Sequence, residues 1–233
     1  MNQKVRVILT GATGMVGEGV LHECLLRDEV ESVLVINRKP CWVSHPRLKE
    51  IILDDFFDLS SIESQLKGYH ACFFCSGISS VGKKEAEYFR ITYELTINFA
   101  QTLSGINPEM TFCFISGAGT DSTEKGRMRW ARVKGKTEND LMRLPFRAVY
   151  AFRPPFMLPT RGLKNALPYY RYVTWLYPLA RLVFPGFFIT LKELGQAMIN
   201  GTISGSGKKV LEGKDIVELA KKPPQQSVVS GCE

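Results

Sequence analysis

Short apolar runs and stretches of helical periodicity alternate along the first two thirds of the chain. Residues 5–9 form the first run. It is rich in β-branched residues, as a strand buried on both faces requires. Val16, Val20, Leu21, Cys24 and Leu25 then recur at helical spacing. Further runs at residues 33–36, 51–53, 71–75, 110–115 and 147–152 predict more strands. Helical patterns cover residues 84–103 and 134–144, the second stopped by Pro145. Ser60 and Glu63 have capping-box spacing, which predicts a helix carrying Ile62 and Leu66.

This alternation predicts an α/β fold: a doubly wound parallel sheet with helices on both faces and right-handed crossovers. After Arg153, Pro154 and Pro155 the rhythm breaks. Residues 156–190 are rich in Pro, aromatics and Arg. They predict a small C-terminal cap over the sheet, ending in a strand at 187–190. A helix at 191–200 follows, with Leu194, Ala197 and Met198 on one side. The expected organisation is one domain over residues 1–220, cap included, and a flexible tail over 221–233.

Between the first strand and the first helix lies a loop with glycines at positions 11, 14 and 17, enclosing Thr13, Met15 and Val16. Such a loop lets the backbone turn tightly and approach a pyrophosphate, while the helix N-terminus offers free N–H groups and partial positive charge. The spacing therefore implies dinucleotide binding. The second strand ends in Asn37, Arg38 and Lys39, with no carboxylate among them. An acid there would hold the ribose hydroxyls of NAD, whereas a guanidinium pairs with a 2′-phosphate. NADP(H) is thus the expected cofactor, in preference to NAD(H).

These features resemble the short-chain dehydrogenase/reductase superfamily, with its Rossmann fold. The atypical branch is the most similar, and within it the small NADPH-binding, Tat-interacting-protein-type oxidoreductase homologues. The resemblance rests on Gly11 to Gly17, Asn37-Arg38-Lys39, Asp55-Phe56, Cys75-Ser76-Gly77, Ile115-Ser116-Gly117, Val133-Lys134-Gly135 and Phe152-Arg153-Pro154. It implies that Asp55 and Phe56 flank the adenine, that Cys75, Ser76 and Gly77 run along the cofactor, and that Pro154 lies near the nicotinamide. It also implies a catalytic Ser at Ser116 and a catalytic Lys at Lys134. The family's Tyr, four residues before the Lys, is here Trp130. An indole N–H donates a hydrogen bond but has no pKa usable for proton transfer. Tyr88, Tyr93, Tyr169 and Tyr170 are the alternative proton donors. The expected activity is NADP(H)-dependent reduction or oxidation of a small carbonyl or alcohol. The competing reading is a dinucleotide-binding regulatory protein with little turnover.

Composition narrows the partners. With 45% hydrophobic and 23% charged residues, the chain is not disordered. The net charge is +7, but no Lys/Arg block exceeds two residues, so a nucleic-acid partner is not expected. No secretory signal and no apolar run long enough to span a bilayer is visible. Six Cys do not make a disulfide scaffold at this length. A reduced, cytoplasmic setting is the expectation. Cys72 and Cys75 have redox spacing, but three residues along a strand point to opposite faces. His22, His45 and His70 are too scattered for a metal site, and none is expected.

Overall fold

The computed structural model describes residues 4–166, Tyr177 and residues 186–222. The elements are β1 (Val5–Thr10), α1 (Met15–Leu26), β2 (Val30–Asn37), β3 (Leu48–Ile52), a 3-10 helix (Ser60–Leu66) and β4 (Ala71–Phe74). Then come α2 (Glu85–Phe89), a π-helical turn (Arg90–Glu94), α3 (Leu95–Ile106), β5 (Thr111–Ile115), α4 (Arg129–Leu141) and β6 (Ala148–Arg153). The last are β7 (Phe156–Leu158), β8 (Phe188–Thr190), α5 (Leu191–Ser204), β9 (Val210–Glu212) and α6 (Gly213–Lys221).

Among the described residues, seven strands form one sheet in the order β3-β2-β1-β4-β5-β6-β9, with every pair parallel. The order reverses between β1 and β4, which opens a crevice at the carboxyl ends of these strands. This is the doubly wound α/β sheet that the alternation predicts.

Each strand splits its side chains between two cores. Val7 and Leu9 of β1, Val33 and Val35 of β2 and Phe73 of β4 pack with α1, α5 and α6. Ile8, Leu34, Ile36, Phe74, Phe112 and Phe114 pack on the other face with α3 and the 3-10 helix. Burial on both faces explains why the strands read as continuous apolar runs rather than as alternating ones. The same alternation separates Cys72, in the second core, from Cys75, which packs against the first. Both are free thiols.

Several local expectations are corrected. Ser60 does not cap a helix. Leu59 is the cap residue, no side chain caps it, and the Ser60 N–H donates to Asp58 Oδ1 at 2.9 Å. The result is a 3-10 helix, which still buries Ile62 and Leu66 as expected. Capping boxes occur instead at Thr190 with Glu193 and at Glu212 with Asp215. The helix expected at 134–144 begins at Arg129 and ends at Leu141. The cap contains a two-stranded parallel sheet, β7 with β8. β9 and α6 add a seventh strand and a helix that the pattern does not announce. The expected tail lies outside the described residues from residue 223 onward, as do Tyr169 and Tyr170.

Candidate functional site

The glycine loop is built from close approaches. Gly11 has φ +76°, and a Cβ there would lie 2.8 Å from the backbone of Cys75 and Ser76. A Cβ on Gly17 would lie 2.1 Å from the Gly11 carbonyl oxygen. Both positions therefore exclude a side chain for reasons internal to the fold. Gly14 differs: it caps α1 with φ −102° and ψ 161°, and a Cβ there would meet only the Gly11 oxygen, at 3.5 Å. Met15 and Val16 pack against the core behind the loop.

In front of this loop lies a cleft of about 1110 Å³. Gly11, Thr13, Gly14, Asn37, Arg38, Lys39, Asp55, Phe56, Cys75, Ser76 and Gly77 line it. Residues from four separate stretches of sequence thus converge at the switch point. Asp54, Phe57, Ile78 and the faces of α2 and the π-helical turn complete the wall. Asp55 Oδ1 accepts from the Phe57 N–H at 2.8 Å, which shapes the turn. Phe56 is buried and stacks on Phe99, while the Arg90 guanidinium lies over the Phe57 ring.

Asn37 is an organiser of the loop. Its Oδ1 accepts from the Ala12 N–H at 3.1 Å and its Nδ2 donates to Glu50 Oε1 at 3.2 Å. Glu50, on β3, also accepts from the Cys41 N–H at 2.9 Å. A carboxylate is therefore present at the end of β2, supplied by the neighbouring strand. Sequence spacing cannot show it. Arg38 and Lys39 are exposed at the cleft.

Ser116, Lys134, Trp130 and Pro154 form a second group at the ends of β5 and β6, two strands further along the sheet. They are not among the described residues lining the cleft. Ser116 is buried, and its Oγ lies 2.9 Å from Thr120 Oγ1. Thr120 Oγ1 donates to the Gly117 carbonyl at 2.8 Å, so the Ser116 hydroxyl donates to Thr120. Lys134 Nζ donates to the carbonyls of Ser116 at 2.8 Å and Ile115 at 3.3 Å. Trp130 lays its ring over the loop after β5, where a Cβ at Gly119 would meet it at 3.6 Å. The Pro154 carbonyl accepts from the Ala118 N–H, clipping the two loops together. Of the alternative tyrosines, Tyr93 is turned onto Asp140, to which it donates at 2.8 Å, and Tyr88 is buried.

Burial pushes the Lys134 ammonium down from 10.5 to about 8, and the Glu138 carboxylate opposes this only in part. The folded chain then binds fewer protons than the unfolded chain between about pH 8 and pH 10.5. Stability therefore rises with pH across that window, and the penalty is fully present below it. Lys134→Met is expected to abolish this rise, because the titrating group is gone. Urea unfolding near pH 7 and near pH 10 compares the two proteins. A variant whose stability still rises across the window as in the wild type would contradict the reading.

Two further groups were missed because they bridge distant segments. Glu18, in the first turn of α1, accepts from the backbone N–H groups of Lys164 and Asn165 at 2.7 and 2.8 Å. It straps the start of the cap to the glycine-loop helix. Arg153 holds the buried Glu138 carboxylate bidentately and reaches Glu212 at 3.2 Å, joining α4, β6 and β9.

No family model matches the chain. Among solved structures, it is similar to the Helicobacter pylori ADP-L-glycero-D-manno-heptose-6-epimerase. The TM-score is 0.66 at 14% identity, over 94% of this chain and 81% of that one. It is also similar to the Bordetella bronchiseptica enzyme WbmF in complex with NAD+, with a TM-score of 0.63 at 14% identity over 94% and 77%. The chain shares their fold. Curated relatives include the mitochondrial protein FMP52 of Chaetomium globosum, 24% identical over 92% of this chain and 96% of that protein. FMP52-1 of Scheffersomyces stipitis, also named mitochondrial, is 25% identical over 91% and 97%. These names overturn the cytoplasmic expectation. That expectation rested on the lack of a secretory signal and a membrane span, and neither feature separates cytosol from mitochondrion.

Proposed function

We propose that the chain is an NADP(H)-binding oxidoreductase of the atypical short-chain dehydrogenase/reductase type, akin to the Tat-interacting-protein-type homologues. Its substrate would be a small carbonyl or alcohol. The observation that carries this reading is the convergence of the glycine loop, Arg38, Lys39, Asp55 and Ser76 on one cleft at the sheet's switch point. The cradle fits a dinucleotide: the backbone at Gly14 is open toward the cleft, and the α1 N-terminus favours a pyrophosphate. In this reading residues 1–220 are one domain, with 156–190 as its cap, and the protein works in the mitochondrion, as the names of its relatives suggest.

When bound, the nicotinamide would supply or take a hydride. The chain's own residues bind and orient. Arg38 and Lys39 pair with a 2′-phosphate, and Asp55 and Phe56 flank the adenine. Cys75, Ser76 and Gly77 run beside the cofactor, and Pro154 shapes the nicotinamide end. Lys134 has one N–H left after its two carbonyl bonds, and this would hold the ribose. Ser116 orients the substrate oxygen. The second reading, a dinucleotide-binding regulatory protein with little turnover, is favoured by Trp130, which cannot exchange the proton.

Calorimetric titration tests the cofactor. NADPH is expected to bind more tightly than NADH. Arg38→Ala should weaken NADPH by about 1.5–3 kcal/mol and leave NADH nearly unchanged, as for a hydrogen bond to a charged group. Equal affinities for the two cofactors in the wild type would sink the preference.

A further inference from the structure

We propose that the loops leading into α2 and α4 form a docking surface for an anionic lipid bilayer. Each loop carries one apolar side chain held out in water beside cations. Val81, 85% exposed, is followed by Gly82, Lys83 and Lys84. Met128, 58% exposed, sits between Arg127 and Arg129, after Lys125 and Gly126. Glu85 binds Arg129 at 3.4 Å and Arg132 at 3.9 Å, which sets the two loops side by side.

The acids of this face are engaged within it. Asp121 accepts from Thr123 and from the Gly126 N–H, Glu124 from Asn139 and Glu87 from Lys83. Among the described residues, no ion pair holds Lys84, Lys125 or Arg127. The surface therefore presents two apolar tips within a field of unpaired positive charge.

That pairing selects the occupant. Exposed Val and Met side chains gain by entering the acyl boundary, and Lys and Arg gain by lying among anionic headgroups. Together the two signals give reversible attachment where neither suffices alone. Nucleic acid would draw on the cations but leave Val81 and Met128 in water. An apolar groove on a protein would leave the cations unmatched. Among the described residues, no helix is long and apolar enough to cross a membrane. Met128 lies two residues before Trp130, so docking sets the Ser116–Trp130 group beside the bilayer, where a lipid-soluble substrate would reach it.

The test is co-sedimentation of the full chain with vesicles of phosphatidylcholine, alone or with about 30 mol % phosphatidylserine, at about 0.1 M and about 0.5 M salt. Binding to the anionic vesicles is expected to exceed binding to neutral ones by about tenfold at low salt and to fall at high salt. The pair Val81→Asp with Met128→Asp should lower it about tenfold, and Lys84→Glu with Arg127→Glu should do the same. Thermal unfolding should be unchanged in both pairs. If a pair fails to fold, the wild type's headgroup and salt dependence decides. No vesicle binding, equal binding to both compositions, binding that folded variants retain, or retention on single-stranded RNA alone would each overturn the proposal.

Discussion

Gly14→Val is expected to fold with unaltered thermal stability and to lose dinucleotide affinity by about a hundredfold or more, equivalent to about 2.7 kcal/mol. The dihedral angles at Gly14, φ −102° and ψ 161°, are those a β-branched residue prefers, and a Cβ there touches only the Gly11 oxygen at van der Waals distance. The branched side chain would instead fill cleft volume in front of the α1 N-terminus, where the pyrophosphate is expected. Gly17→Ala is the contrasting case. Its methyl group would sit 2.1 Å from the Gly11 oxygen, so the loop itself must shift. That variant should lose about 1–3 kcal/mol of stability as well as binding. Thermal unfolding and fluorescence titration with NADPH separate the two effects. A stable Gly14→Val protein with wild-type affinity would show that the pyrophosphate does not lie here.

The glycine loop was legible because its chemistry is local: strand, turn and helix follow one another within about twenty residues. The paired cores were legible for a similar reason, since Val33 to Ile36 and Ala71 to Phe74 must be apolar throughout to be buried on both faces. β9 escaped because Val210, Leu211 and Glu212 are too few to make a run. Their place in the sheet is set by pairing with Ala151, Phe152 and Arg153. The first turn of α4 escaped because Arg129 and Arg132 are polar and the helix is held by tertiary contacts. One such contact is Gly135, where a Cβ would lie 1.8 Å from the Asp121 carbonyl oxygen. Ser60 and Glu63 had the right spacing, but Asp58 took the N–H that a cap would need. Glu50 beside Asn37 and Glu18 beneath Lys164 depend on contacts across the fold, so no spacing rule reaches them.

The wild-type protein is expected to bind NADPH yet reduce simple ketones slowly, and Trp130→Tyr is expected to raise that rate by about 10²–10⁴-fold, the usual contribution of a positioned proton donor. Trp130 and Lys134 lie one turn apart on α4, on the same face of the helix. The Trp130 ring already covers Gly117 and Gly119, next to Ser116, so the smaller phenol fits the space that the indole occupies. Among the described residues, two neighbouring hydroxyls are engaged elsewhere. The Ser116 hydroxyl donates to Thr120, and Tyr93 donates to Asp140. Lys134 is tied to the Ile115 and Ser116 carbonyls, but with its ammonium pushed down to about 8 it is well placed to draw a new phenol toward ionisation. Lys134→Met in the Trp130→Tyr background should therefore return the rate to the wild-type level. Loss of NADPH absorbance with a ketone or quinone substrate measures all three proteins. Rapid wild-type reduction that survives replacement of Tyr88, Tyr93, Tyr169 and Tyr170 by Phe would show that the proton comes from another group and that Trp130 does not stand at the acid/base position.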